Sequence, residues 1–88
     1  MSVYHTQTLE MRGFKRPIFL EYFLTQGGIL IDWDLIQGPD WVVRLAAERE
    51  IILGTLSLPV VFVTFEAPGE IALNLIQEFR MRFLSAGG

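Results

Sequence analysis

Asp32 and Asp34 stand two residues apart in Ile29-Leu-Ile-Asp-Trp-Asp-Leu-Ile36, and with Asp40 and the lone His5 they are the residues best suited to acid–base or metal chemistry. Carboxylates two apart on a strand share a face, and Mg²⁺ is bound through one or two such groups. Alternating aspartates are also what the solvated face of a strand carries, and no companion motif turns these into a catalytic pair. They are read as a solvated face. His5 falls on the side of Val3 and Leu9 and is expected to be half-buried and hydrogen-bonded. One histidine and no cysteine leave no nucleophile–base pair, disulfide framework or Cys-based zinc site. Ser57 sits in an apolar run without a nucleophile elbow around it. Gly27-Gly28 follows a helical pattern, whereas phosphate-binding loops precede one. Arg12, Lys15 and Arg16 read as a solvated basic turn rather than an anion site. No catalytic residue, metal site or cofactor is expected, and the chain reads as a non-enzyme.

The elements around these residues explain more. Ile51 to Phe65 carries no charge, and after Ala67-Pro68-Gly69 the pattern becomes an amphipathic helix to about Leu84. Ile71, Ala72, Leu75, Ile76, Phe79 and Phe83 form its apolar stripe, opposite Glu70, Asn74, Gln77, Glu78 and Met81. Arg80 and Arg82 complement the helix dipole at its end. Upstream, Val3 to Arg12 alternates as a strand, with Val3, Leu9 and Met11 on one side and Tyr4, Thr6, Thr8 and Glu10 on the other. Pro17 opens and Gly27-Gly28 closes a short apolar helix over Pro17 to Gln26, whose Phe19, Tyr22 and Phe23 are read as core. Ile29 to Ile36 alternates as one strand, with Ile29, Ile31, Trp33 and Leu35 facing one way. Gln37 to Asp40 is a turn by composition. Trp41 to Arg49 is read as the returning strand of a hairpin, although Asp40 would also cap a helix there. Ile51 to Leu58 and Pro59 to Glu66 complete the strands, Pro59 implying an edge or bulge because it has no N–H to donate. The expected class is α+β, in the order β-α-β-β-β-β-α, an antiparallel sheet with both helices on one face.

Composition bounds the rest. Of the 88 residues, 51% are apolar and 19% charged, below the ~25% charged of ordinary soluble domains. A single domain over residues 1–88 is expected, too small to bury that apolar surplus alone. A net charge of −3 argues against nucleic acid, which is bound mainly through Lys and Arg. The longest uncharged run is shorter than the ~20 apolar residues of a spanning helix, and Pro59 interrupts it, so no membrane partner is expected. The N-terminus has neither the basic start nor the apolar core of an export signal. A cytoplasmic protein is expected.

Gly54-Thr-Leu-Ser-Leu-Pro59, the helix end Tyr22-Phe-Leu-Thr-Gln-Gly-Gly28 and the terminal Phe83-Leu-Ser-Ala-Gly-Gly88, in this order and spacing, resemble the C-terminal domain of the MoaD-related proteins. In those proteins a ubiquitin-like sulfur-carrier domain, similar to the small subunit of molybdopterin synthase, precedes a domain of this kind. The resemblance covers roughly Phe14 to Gly88. It implies a fold like one half of TATA-binding protein and no known activity. It also implies a molybdopterin or sulfur-transfer protein as a partner. The 88 residues are expected to depart from the two-domain pattern, since they leave no room for the carrier domain. Carriers end in Gly-Gly because an adenylating enzyme admits only a thin extended tail. Here Ser85 and Ala86 leave a short stalk, so Gly87-Gly88 are read as a helix stop.

The function expected is a non-enzymatic, self-associating interaction domain. If both helices cover one sheet face, the other displays Ile52, Leu56, Leu58, Val60 and Phe62, too apolar to face water as a group. A homodimer through that face is the simplest cover. The alternatives are a small-molecule pocket between the sheet and the last helix, lined by Trp33, Trp41 and Phe65, and a sulfur carrier using the terminal glycines.

Overall fold

The computed structural model describes residues 3–83. The elements are β1 (Tyr4–Arg12), α1 (Arg16–Thr25), β2 (Ile29–Asp32), β3 (Leu35–Gln37), β4 (Val42–Leu45), β5 (Arg49–Leu53), β6 (Leu56–Pro68) and α2 (Gly69–Phe83). The class is α+β, with an antiparallel sheet ordered β1-β6-β4-β3-β2 and β5 also paired to β6. β6 is the spine. On one edge it pairs along the whole of β1, from Tyr4↔Pro68 to Arg12↔Val60. On the other edge it pairs first with β5 and then with β4. β4 and β5 are thus one interrupted strand, broken at Ala46-Ala47-Glu48, and with that count the order is the expected strand, helix, four strands, helix.

Several boundaries differ from the periodic reading. Ile29 to Ile36 is two strands, because the chain reverses at Trp33-Asp34, where Asp32 Oδ1 accepts the Trp33 N–H at 2.7 Å. Asp and Asn favour turns because their short side chains bond nearby backbone, and Asp32 pairs with Leu35 across the two turn residues. The second hairpin turns at Gly54-Thr55, where Gly54 takes φ +64°, and not before Pro59. Pro59 lies inside β6. Its carbonyl accepts from Gly13 N–H at 2.9 Å, so its nitrogen also points toward the end of β1, and no bond to β5 is lost. Beyond Val60 that side of β6 is indeed an edge. Nor is there a loop at Ala67-Pro68-Gly69: β6 runs straight into α2, with Gly69 N–H donating to Val3 carbonyl at 3.0 Å.

α1 begins at Pro17's neighbour Arg16, and Lys15 supplies no side-chain cap. The cap comes from far along the chain: Glu48 Oε1 accepts the Arg16 N–H at 2.7 Å, which also places a carboxylate at the positive end of the helix dipole. The helix closes in a Schellman arrangement. Gly28 N–H donates to Phe23 carbonyl at 3.0 Å and Gly27 N–H to Leu24 carbonyl at 3.3 Å, with Gly27 at φ +93°.

Both helices lie on one face of the sheet. Phe19 and Phe23 of α1 and Ala72, Leu75, Ile76, Phe79 and Phe83 of α2 are buried against Val43, Leu45, Val61, Val63, Phe65 and Ala67. The apolar stripe of α2 is the one its spacing predicts, with Ile71 at its margin. Among the described residues no buried side-chain nitrogen or oxygen lacks a partner, and no helix is long and apolar enough to cross a membrane.

Candidate functional site

The residues suited to chemistry are kept apart or otherwise engaged. Asp32 is tied to its own turn, and Asp34 Oδ2 lies 3.9 Å from Arg44 Nη1. Because a turn separates them, the two aspartates do not share a strand face. His5 is half-buried, its Nε2 3.0 Å from Gln7 Oε1. Among the described residues no three His, Asp or Glu side chains converge as a metal site requires. The basic trio disperses as well: Arg12 pairs with Glu10 at 2.6 Å, while Arg16 donates to the carbonyls of Trp33, Leu45 and Ala46. Tyr22 sits among Phe23, Phe79 and Phe83. Burial, reinforced by the Glu78 carboxylate and opposed by Arg82, raises its phenol above the usual value.

Nor do Trp33, Trp41 and Phe65 line one pocket. Trp33 is 60% exposed in the β2–β3 turn, Trp41 is buried beside α1, and Phe65 is wholly buried in the core. The separation follows from the turn at Trp33-Asp34, which carries the first indole away from the strand face expected for it. A surface hollow of 360 Å³ lies elsewhere, between Gly27, Ile29, Ile31, Gln37, Gly38 and Pro39.

What the fold leaves uncovered is the sheet face away from the helices. Residues directly paired across an antiparallel ladder share a face, so the register assigns every side chain. Thr6, Thr8, Thr64, Glu66 and Arg44 make one half of this face polar, with Thr8 and Thr64 hydroxyls 2.8 Å apart. Val60 and Phe62 open the other half, where they lie opposite Arg49 and the Glu10–Arg12 ion pair of β1, and it continues through Leu58 paired with Ile51 and Leu56 paired with Leu53. Four of the five residues expected on this face are therefore on it. Ile52 is not: it pairs with Ser57, one position out of phase, and faces the opposite way. The reason is the turn at Gly54-Thr55, since a one-residue change in register moves a side chain to the other face.

Exposure sorts them further. Ile52 is 73% exposed, Leu56 55%, Phe62 38% and Val60 only 3%, so Val60 contributes support rather than contact. β1 ends opposite Val60 and β4 begins its pairing at Val63, so residues 49–59 form a two-stranded arm beyond the body of the sheet. Leu53, Leu56, Leu58 and Ile51 occupy one side of this arm and Ile52 the other. Sequence reasoning missed Ile51 and Leu53, which the corrected hairpin register identifies.

A search of the curated proteins returns no match. The family model described as archaeal MoaD-like protein matches residues 7–88, which includes both helices, all of β2 to β6 and most of β1. The chain belongs to the archaeal MoaD-like protein family.

Proposed function

We propose that this protein is a non-enzymatic interaction domain that self-associates through the β5–β6 arm and the adjoining half of the open sheet face, and that serves molybdopterin-related sulfur-transfer proteins. The observation that carries this reading is the arm. A two-stranded hairpin is marginally stable alone in water, and this one holds Ile52, Leu53 and Leu56 exposed with no charged residue from Ile51 to its tip and back to Phe65. Covering such a surface with a second copy gains hydrophobic free energy at about 25 cal/mol per Å² and steadies the hairpin. A two-fold contact places each arm against the same patch of its partner. The polar half of the face, with its threonine pair and charges, makes a natural rim.

Sedimentation equilibrium of the wild-type chain and of Leu56→Asp tests the contact. The substitution leaves the body of the fold intact, since Leu56 lies at the arm's tip. Burying an unpaired carboxylate costs about 3–5 kcal/mol, so dimerisation should weaken by more than ~100-fold. Phe62→Asp should give a monomer or an insoluble chain. An unchanged association constant for Leu56→Asp would remove the arm from the interface.

A second reading, a sulfur carrier activated at its terminus, is favoured by the reach of the family match through Gly88. Gly87 and Gly88 lie outside the described residues, as does the expected end of the last helix at Leu84. We expect no activation, because in the sequence only Ser85 and Ala86 separate the expected helix end from the glycines. Intact-mass measurement after incubation with an adenylating sulfurtransferase system decides it. A gain matching a C-terminal thiocarboxylate, absent when Gly88 is deleted, would promote the carrier reading.

A further inference from the structure

We propose that Arg16 and Glu48 are positioning residues for the association surface: they hold a β-bulge that fixes which side chains of β5 reach the open sheet face. This rests on the reading that the arm is the contact between copies. The bulge lies where β4 passes into β5. Leu45 pairs with Val63 of β6 and Arg49 with Val60, so Ala46, Ala47 and Glu48 stand opposite Val61 and Phe62 alone. One extra residue bends a strand and reverses the facing of every side chain beyond it. Before the bulge Arg44 shares the open face with Thr64. After it Arg49, Ile51 and Leu53 share that face with Val60, Leu58 and Leu56.

The sequence of the arm does not impose this register. A pairing without the bulge would continue the β4 ladder, bringing Arg49 opposite Pro59 and Ile51 opposite Ser57. Its tip would close in a three-residue loop, Leu53-Gly54-Thr55, a length that hairpins commonly use. β6 is held by its ladder to β1 as far as Val60 and by the bond from Gly13 N–H to Pro59 carbonyl at 2.9 Å. Leu56 and Leu58 therefore keep their face in either register. β5 does not: the bulge-free pairing would turn Ile51 and Leu53 away and put Glu50 and Ile52 in their place. A strand's pattern specifies its register when its apolar residues fall on one face only, and β5 carries Ile51 and Leu53 on one face and Ile52 on the other. A Glu50 carboxylate beside Leu56 and Leu58 would oppose contact with a second copy.

The start of α1 holds the bulge at both ends. The Arg16 guanidinium donates to the carbonyls of Leu45 and Ala46, each at 3.1 Å, and to that of Trp33. It also lies 5.3 Å from the Trp33 ring centroid, so it ties the first residues of the break to the β2–β3 turn. The Arg16 N–H donates to Glu48 Oε1 at 2.7 Å, which ties the last residue of the break to the same point. Between them Leu45 N–H donates to Asp34 carbonyl at 2.8 Å and Ala46 N–H to Phe62 carbonyl at 3.0 Å. Without the bulge Glu48 would stand opposite Val60 and point to the open face, away from α1. The Arg16–Glu48 bond and the bulge-free register therefore exclude each other. A planar guanidinium serves several carbonyls at once, which a lysine ammonium does less well.

The test reads the register by NMR of the full chain, from the main-chain proton contacts of Ser57. Ser57 lies opposite Ile52 in the structure and opposite Ile51 in the bulge-free pairing. In the double variant Arg16→Met, Glu48→Ala the contact is expected to move from Ile52 to Ile51 in a detectable share of molecules. Sedimentation equilibrium should then show dimerisation weakened at least ~10-fold. Arg16→Lys should fall between, and Glu48→Gln, which keeps an acceptor oxygen, should retain the Ile52 contact and the wild-type association. A double variant that retains only the Ile52 contact overturns the proposal, since a purely structural role would lower the melting temperature and leave the register alone. So does a moved contact with unchanged association. A wild-type chain that is monomeric at every concentration refutes the contact between copies, and Ser57 then decides alone whether the pair sets the register. If the double variant does not fold, Glu48→Ala by itself is read in the same way.

Discussion

Phe79→Ala is expected to destabilise the protein by about 3–5 kcal/mol, the usual cost of emptying a buried aromatic site. Phe79 is wholly buried and is the hub of the aromatic core. Its ring lies 5.7 Å from Phe19, 5.3 Å from Phe23, 5.2 Å from Phe65, 5.0 Å from Phe83 and 5.8 Å from Tyr22. Those partners come from α1, β6 and α2, so one deletion loosens both helices and the spine of the sheet. Total stability for domains of this kind is about 5–15 kcal/mol, and small ones sit at the low end. Urea unfolding followed by circular dichroism should show a large fall in midpoint or no cooperative transition. Met81→Ala on the same helix is the control: its side chain is exposed, and a change within about 0.5 kcal/mol is expected. Equal effects at the two positions would refute this core.

Gly28→Ala is expected to cost about 3 kcal/mol, at the upper end for overpacking. A Cβ at Gly28 would stand 2.6 Å from Ile36 Cγ2, 2.7 Å from Phe23 carbonyl oxygen and 2.9 Å from Trp41 Cη2. The oxygen cannot retreat, because it is the acceptor of Gly28's own N–H in the closure of α1. The glycine is therefore required by close approach of backbone and indole, not by an unusual φ. Gly54→Ala separates these causes. Nothing lies within 4 Å of its added Cβ, but its φ is +64°, so only left-handed strain of about 1–2 kcal/mol applies. Thermal unfolding of the two variants should rank Gly28→Ala well below Gly54→Ala. The reverse order would mean that the α1–β3–Trp41 packing is wrong.

The parts of the fold legible in the sequence are those with strong local signals. The stripe of α2 repeats over four turns, and Pro17 with Gly27-Gly28 brackets α1. The strand at Val42 to Leu45 followed from a hairpin being the shortest continuation. The turn at Asp32-Trp33-Asp34 was hidden because apolar alternation runs through it and no Gly or Pro marks it. At the second hairpin Pro59 is the stronger punctuation in the sequence, yet Gly54 makes the turn, and that shift moves Ile52 to the face opposite the one periodicity assigns it. Glu48 capping α1 and Arg16 gathering three carbonyls had no sequence signal at all, because each joins residues 17 or more positions apart. The candidate surface was legible as an uncharged apolar run; its geometry, an arm with apolar side chains on both sides, required the ladder register.

The central claim is that this arm and face are covered by a second copy. Light scattering coupled to size exclusion, over a concentration series, measures it directly. The account predicts a species near twice the 10.0 kDa chain mass that dissociates on dilution. A constant mass of one chain at the highest concentration, with the arm's apolar residues still open to solvent, would contradict it.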